Sequence, residues 1–300
     1  MPSPCQLLPA RRPVLLFGAT SILGFNLARS FAASIEPFVT PGSRAHAIRH
    51  WPELRLDNAA WLEQLFSARK PRILLYCHAV CDVPKCEAAP EWAHEINVEH
   101  VRRVLAALPR ETRLVYVSSD HVFSGDGVYD EDSFTCPISV YGRTRVKAEA
   151  LARSRAGSLI IRVGLPIGIS ANGRTGHWDW LCYRMRRNLP VTIVRDEYRS
   201  AVWATDLARR VMLLAESVVT GVCHVSATRS VSRTELADYL LSLSRVAGVY
   251  QSESRHQRSA PHLGRVELAS RYCSGLFAPL QSVIVSPAAH SLDNPVARNL

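Results

Sequence analysis

The run Gly18-Ala-Thr-Ser-Ile-Leu-Gly24 is the first stretch of this 300-residue chain suited to holding a charged ligand. It follows the apolar run Pro13–Phe17 and opens an amphipathic stretch that continues through Ala33. Small residues let the chain turn tightly. A helix N-terminus at such a turn offers free N–H groups and partial positive charge to a pyrophosphate. Gly18, Thr20, Ser21, Ile22, Leu23 and Gly24 are therefore candidate cofactor contacts. Ser21 stands where a three-glycine fingerprint has its middle glycine, and it adds only a hydroxyl. A plain strand–helix turn without ligand is the competing reading.

The next strand, expected around Phe38–Thr40, leads into Pro-Gly-Ser-Arg44. An acid at that strand's end would favour a ribose 2′-hydroxyl, and an arginine a 2′-phosphate. Thr40, Ser43 and Arg44 include no acid, so NADP(H) is expected ahead of NAD(H); Arg44 as a solvated loop cation stays open. Leu56-Asp57 reads as a segment passing the adenine, and helix capping by Asp57 is an equal alternative. Cys77, Cys81 and Cys86 lack the paired short spacing of a zinc knuckle, so no metal is expected.

A second constellation lies further on. The apolar run Arg113–Ser118 enters Ser118-Ser-Asp-His-Val-Phe123, an acidic turn spans Tyr129–Asp132, and Tyr141-Gly-Arg-Thr-Arg145-Val-Lys147-Ala-Glu149 follows Pro137. With these motifs the chain resembles an extended short-chain dehydrogenase/reductase. Within that superfamily it is similar to the dTDP-4-dehydrorhamnose reductase family, which also holds the regulatory β subunit of methionine adenosyltransferase. Other matching features are His78-Ala79 with Asp82 and Glu87, Asn97, and Asp196-Glu-Tyr-Arg-Ser200 leading to Asp206-Leu-Ala208. The resemblance runs from about residue 13 to 280.

The resemblance implies a Ser/Thr–Tyr–Lys site, with His78 and Ala79 beside the cofactor. Ser119 would hydrogen-bond the substrate carbonyl, and Tyr141 would supply the proton while a nicotinamide supplies hydride. A carbonyl accepting hydride gains alkoxide character that a phenol can protonate, and a neighbouring cation lowers the phenol's pKa. Here Arg145 stands four residues after the tyrosine, where the family has lysine. It shares the tyrosine's helix face and carries the right sign, but a guanidinium is bulkier and more diffuse than an ammonium. Lys147 falls about 120° round the helix and cannot replace it. Plain structural roles stay open: Ser119 ending a strand, Tyr141 packing, Arg145 pairing with Glu149, His121 packing beside the site.

These residues need elements to hold them. Pro13–Phe17, Arg72–Tyr76, Arg113–Ser118 and Ser158–Val163 read as strands buried on both faces. Helical patterns at Ala59–Ala68, Glu91–Leu108 and Tyr141–Ala152 alternate with them. The expected fold is α/β, a doubly wound Rossmann parallel sheet with a smaller C-terminal substrate lobe. Residues 11–165 form the cofactor core, 201–227 return to it, 166–200 and 228–285 make the substrate lobe, and 286–300 are a loose tail. In the second half, Gly168–Trp178 reads as a loop, Thr205–Glu216 and Arg233–Ala247 as helices, and Gly221–Ser226 as a short strand.

Charge refines the partner. The chain carries +10, with 36 basic and 26 acidic residues; residues 1–150 hold 17 and 16 of them, and 151–300 hold 19 and 10. No long basic run or nucleic-acid motif accompanies the excess, so nucleic acid is not an expected partner. A basic second half suits a nucleotide-diphosphate sugar, with Arg174, Arg184, Arg186 and Arg199 as candidate phosphate contacts, and Glu253–Arg271 either closes the site or is a solvated strap. Trp178, Trp180 and Trp203 are candidates for stacking or for packing. No leader or membrane-spanning run is read, and the eight scattered cysteines suit a reducing cytoplasm; a homodimer is allowed but not specified. The leading expectation is an NADPH-dependent reductase of a nucleotide-linked 4-keto-deoxysugar. The alternative is a catalytically impaired, cofactor-binding regulatory subunit, and Arg145 separates the two.

Overall fold

The computed structural model describes residues 12–272 and 274–285, so the tail expected over 286–300 and the boundary at Arg11 lie outside the described residues. The core is a six-stranded parallel sheet in the order β11-β6-β4-β3-β1-β2. Its strands are β1 (Val14–Phe17), β2 (Ile35–Phe38), β3 (Ile73–Tyr76), β4 (Arg113–Ser119), β6 (Leu159–Val163) and β11 (Gly221–Val225). The apolar runs are buried because helices cover both faces. Val14 and Leu16 point towards α1 (Ile22–Ser30) and α8 (Ala204–Glu216), in a cluster with Leu23, Leu27, Leu207 and Val211. Leu15 and Phe17 point the other way, towards α2 (Ala59–Arg69), α5 (His100–Ala107) and α6 (Val140–Arg153). The chain reverses its direction of winding at β1, between β2 and β3, and ligands of such sheets bind at the strands' carboxyl ends beside that point.

Several expected elements shift. The strand placed at Phe38–Thr40 is β2, ending at Phe38, whose carbonyl accepts from the N–H groups of Gly18 and Ala19. The single helix expected over Glu91–Leu108 is α4 (Pro90–His94), a π turn (Glu95–Glu99) and α5, and a short α3 (Val83–Ala88) precedes them. The π turn carries the buried Asn97, which accepts from Val80 N at 2.8 Å and donates to Val80 O at 3.0 Å and Thr144 Oγ1 at 2.9 Å. The loop expected through Trp178 stops earlier. Helix α7 (Gly176–Arg186) already contains Trp178, because Trp178, Leu181, Cys182 and Met185 form one apolar stripe at helical spacing. The helix at Arg233 ends at Ser244 as α9, with Arg245 left-handed at φ 51°.

Outside the main sheet lie short pairs. β7 (Leu165–Ile167) pairs with β10 (Ala201–Trp203), and β8 (Thr192–Val194) with β13 (Gln251–Glu253). β9 (Tyr198–Arg199) pairs with β12 (Val231–Ser232), and β14 (Val266–Leu268) with β5 (Gly127–Tyr129). Side chains of β7, β8, β10, β12, α7 and α9 bury a separate cluster that includes Ile167, Trp178, Leu181, Ile193, Leu236 and Leu240, while β14 and β5 pack with Val122, Phe123 and Leu263. The β5–β14 pair ties this late segment to a loop of the first half. No helix among the described residues is long and apolar enough to cross a membrane.

Candidate active site

The glycine turn closes against the neighbouring strand end. Gly18 has φ +88°, and a Cβ there would lie 2.4 Å from the backbone N of His78. A Cβ on Gly24 would lie 2.3 Å from the carbonyl oxygen of Gly18. Both glycines therefore keep a backbone cradle open at the point where the sheet reverses. Ser21 occupies the middle position with ordinary φ −68°: its hydroxyl caps α1 by accepting from Gly24 N at 3.0 Å and donates to Gly18 O at 3.0 Å. Thr20 and Thr40 join hydroxyls at 2.9 Å, Ile22 begins α1, and Leu23 is core. These observations fit a dinucleotide's diphosphate: close-approach backbone and a helix N-terminus, with no side chain filling the turn.

The loop after β2 holds Ser43, whose hydroxyl donates to Thr40 O at 2.5 Å, and an exposed Arg44. Glu53, which the linear reading passed over, reaches this loop and accepts from Gly42 N at 2.9 Å. Asp57 does not cap α2; Asn58 does, its Oδ1 accepting from Trp61 N at 2.9 Å. Asp57 instead accepts from Arg103 at 2.9 Å and lies 3.1 Å from His100 Nε2. His100 Nδ1 faces His78 Nε2 at 3.3 Å, with the two rings stacked. Burial, with the charges of His100 and Arg145 adding, lowers His78 to about 4, so it is neutral at ordinary pH. Ala79 follows it, half-buried. Asp57, Glu95 and His100 bring ligand-type atoms together, but Arg103 bonds both carboxylates, at 2.9 Å and 2.6 Å. The Cys77, Cys81 and Cys86 thiols are all pushed up, chiefly by burial.

The second constellation assembles at the carboxyl end of β4. Ser139 caps α6 by accepting from Gly142 N at 3.0 Å, and Glu87 accepts from Val140 N at 2.6 Å. Gly142 lets the helix touch the end of β4, since a Cβ would sit 2.2 Å from His121 O. Tyr141 is thereby brought against His121, with ring centroids 5.2 Å apart, and near enough to Ser119 for that hydroxyl to act on its phenol. Ser119 also donates to Asp120 Oδ1 at 3.1 Å. Burial raises the Tyr141 phenol, while Arg145 and the Ser119 hydrogen bond pull it back. The expected lowering of this pKa is therefore not what the protein alone produces: desolvation outweighs the cation.

Arg145 does not pair with Glu149. Glu149 is 2% exposed and takes a forked contact from the equally buried Arg162, with Nη2 at 2.7 Å and Nε at 3.0 Å. Arg145, 3% exposed, stacks over Tyr116 at 4.7 Å and donates one hydrogen bond to Val117 O. Its Nε and Nη1 have no partner among the described residues. Burial opposes its charge, but Tyr116, Tyr141 and Glu149 outweigh burial and hold it protonated. Two idle donors on a buried cation beside Tyr141 call for acceptor oxygens from outside the chain. Lys147 is exposed, as its place on the helix requires.

Arg199 is not a free phosphate contact. It is buried, with Nε 2.7 Å and Nη2 2.5 Å from Asp120 and Nη1 3.1 Å from Glu197. Glu197 also accepts from His262 at 2.8 Å and Arg233 at 3.3 Å. Trp178, Trp180 and Trp203 belong to or pack on the lobe core. The strap arginines pair with acids: Arg255 with Asp126, Arg258 with Glu253, Arg265 with Glu267 and Arg271 with Asp132. Arg255 and Arg258, with His256, His262, Pro261 and Ile138, line a cleft of about 480 Å³. Ile138 precedes the cap of the helix that carries Tyr141, and His262 joins the cleft to Glu197 and the Arg199 network.

The RmlD substrate-binding domain model matches residues 12–266. Methionine adenosyltransferase 2 subunit beta of Xenopus tropicalis is 32% identical over 167 residues, 54% of this chain and 48% of that protein. The chain thus spans about half the length of that curated relative. The dTDP-4-dehydrorhamnose reductase of Aggregatibacter actinomycetemcomitans is 24% identical over 213 residues, 69% of each chain. Among solved structures, dTDP-4-dehydrorhamnose reductase from Bacillus anthracis in complex with NADP superimposes with a TM-score of 0.72 at 23% identity, covering 87% of this chain and 90% of that one. That likeness carries the fold. The sheet order, the turn at Gly18 and the match over 12–266 lead to one statement of kinship: the chain belongs to the RmlD substrate-binding domain family.

Proposed function

We propose that this protein is an NADP(H)-dependent oxidoreductase that reduces a nucleotide-linked 4-keto-deoxysugar. The observation that carries the reading is the convergence of Ser119, Tyr141 and the idle, buried donors of Arg145 at one strand end. Gly18–Gly24 would cradle the cofactor's diphosphate, Ser43 and Arg44 its 2′-phosphate, and His78 and Ala79 would flank it. A bound dihydronicotinamide supplies hydride to the carbonyl carbon. Ser119 orients the carbonyl oxygen, and the Tyr141 phenol gives its proton to the developing alkoxide. A raised phenol pKa suits this direction, because the acid form persists and an alkoxide is far more basic than any phenolate. Arg145 would direct Nε and Nη1 to the cofactor's ribose hydroxyls and lower the cost of phenolate on the neighbouring ring. The cleft lined by Arg255, His256, Arg258 and His262 would take the substrate's diphosphate in exchange for the arginines' present carboxylate partners.

The test is NADPH oxidation with dTDP-4-keto-6-deoxyglucose. Turnover is expected in the wild type, with about a 100-fold or greater loss of kcat in Tyr141→Phe and NADPH affinity unchanged. A second reading follows from Arg145 and the likeness to methionine adenosyltransferase 2 subunit beta: a cofactor-binding regulatory subunit without turnover. Tight NADPH binding without turnover in the wild type, with activity appearing in Arg145→Lys, would establish that reading and remove the first.

A further inference from the structure

His121 holds a feature that the chemistry above leaves unused. Its Nε2 lies 3.2 Å from Nη1 of Arg199. A guanidinium offers donors only and keeps its proton, so Nε2 must act as acceptor. A neutral imidazole with its lone pair on Nε2 carries its single hydrogen on Nδ1. Arg199 cannot turn away, since Asp120 grips it at 2.5 Å and 2.7 Å and Glu197 at 3.1 Å. Nδ1 of His121 is sealed from solvent and has no partner among the described residues. The backbone N–H of His121 meets Ser119 Oγ at 3.3 Å, and its ring packs edge-on to Tyr141. The ring that carries this idle, buried N–H donor therefore stands beside the two groups assigned to the carbonyl.

The charge state agrees with this tautomer. Burial, then Arg199, push His121 down to about 4; Asp120 and Glu197 act upward, and His262 adds to the lowering. The ring is neutral throughout the ordinary pH range, which rules it out as a proton source there and leaves hydrogen bonding as its chemistry. A ring present only for packing would need no nitrogen aligned on a clamped arginine, and an unused buried donor is a standing cost that a ligand oxygen removes.

We infer that His121, fixed as the Nδ1–H tautomer by Arg199, donates a hydrogen bond to a hydroxyl on the carbon next to the reacting carbonyl, and so selects sugars that carry that hydroxyl. The inference rests on the proposed placement of the carbonyl between Ser119 and Tyr141. Asp120 and Glu197 are then positioning residues, acting through Arg199.

Two measurements test it. Long-range ¹H–¹⁵N spectra of histidine-labelled protein should show His121 protonated on Nδ1 from about pH 5.5 to 8. The Nδ1 signal should shift when dTDP-rhamnose is added to the NADP-loaded protein. An Nε2–H tautomer, a titration midpoint near 6.5, or an unmoved signal at saturating sugar nucleotide would each overturn the assignment. Absence of any sugar-nucleotide binding overturns it together with the proposed function. In kinetics, His121→Phe keeps the ring and removes the donor. Its KM for dTDP-4-keto-6-deoxyglucose should rise about five- to tenfold with kcat nearly unchanged, while the 3-deoxy analogue is indifferent to the substitution. Equal losses on both sugars would refute the selection role. A shifted Nδ1 signal without turnover on either sugar would remove the reductase reading and leave the donor in place.

Discussion

Arg145 changes what the tyrosine's neighbour can do, because a guanidinium adds a planar fork of donors yet never gives up its proton. Its buried Nε and Nη1 lack partners among the described residues, so replacing it with methionine removes both ligand donors and the local charge. In Arg145→Met, NADPH affinity should fall about tenfold or more by fluorescence titration, the loss of a charge-assisted hydrogen bond. If Arg145→Met binds NADPH as tightly as the wild type, the ribose role is lost. Arg44 is exposed and should matter only to the phosphate: Arg44→Ala should weaken NADPH about tenfold and leave NADH unchanged, and equal effects on both would refute the 2′-phosphate contact. The pH profile belongs to Tyr141. Because burial raises the phenol, kcat should stay flat from about pH 7 to 9, and a fall below pH 9 would mean that another group supplies the proton. These residues were legible because each lies in a short motif next to a strand or helix end. The Arg162–Glu149 and Arg199–Asp120 pairs were not, since their partners are separated along the chain and only the folded sheet brings them together.

Elements were legible where their apolar rhythm was simple. Strands β1 and β3 are continuous apolar runs, β4 and β6 have apolar centres, and helix α6 begins one residue before its expected start. The π turn between α4 and α5 escaped because one inserted residue hardly alters the apolar pattern, although a buried Asn97 on that pattern was a visible irregularity. Asn97 ties Val80, beyond the end of β3, to Thr144 on the tyrosine's helix. Asn97→Ala should cost about 2–4 kcal/mol in urea unfolding, from buried backbone groups left unpaired. A change below half a kilocalorie would show that water replaces the amide. Helix α1 offers the matching test of the cradle. The methyl of Gly24→Ala would collide with the carbonyl oxygen of Gly18, so NADPH binding should fall while the lobe core, which Gly24 does not touch, stays folded.

Across the whole molecule the charge asymmetry has a structural reading different from the one composition suggested. Several of the second half's arginines meet the first half's acids: Arg199 with Asp120, Arg255 with Asp126, Arg271 with Asp132 and Arg162 with Glu149. Arg174, Arg184, Arg186 and Arg187 around α7 pair with no carboxylate among the described residues, so the unbalanced charge gathers there. The exposed Arg255 and Arg271 pairs contribute little, whereas breaking the buried Arg199–Asp120 pair should cost about 3–5 kcal/mol. Glu197 sets the acid limit of this network. Burial alone would raise its carboxyl, but the hydrogen bond from His262 and the charges of Arg233 and Arg199 hold it well below the usual range. Its folded pKa is depressed, so its contribution is present above the unfolded value of about 4.3 and is lost as pH falls towards the folded one. Glu197→Gln should flatten the acid limb of stability measured by urea titration; an unchanged limb would place acid sensitivity elsewhere.

The pairing of β14 with β5 also has a consequence in time. The segment from β13 onward leaves the ribosome after the partners it joins, among them Asp126, Glu131, Asp132, Glu197, β5 and β8. Until it arrives, a largely built central sheet carries Asp126 and Asp132 without their arginines and an unpaired edge at β5. Maturation should therefore finish in one late docking step, and refolding of a chain stopped before β13 should yield a molecule that holds cofactor yet leaves its sugar-facing side open.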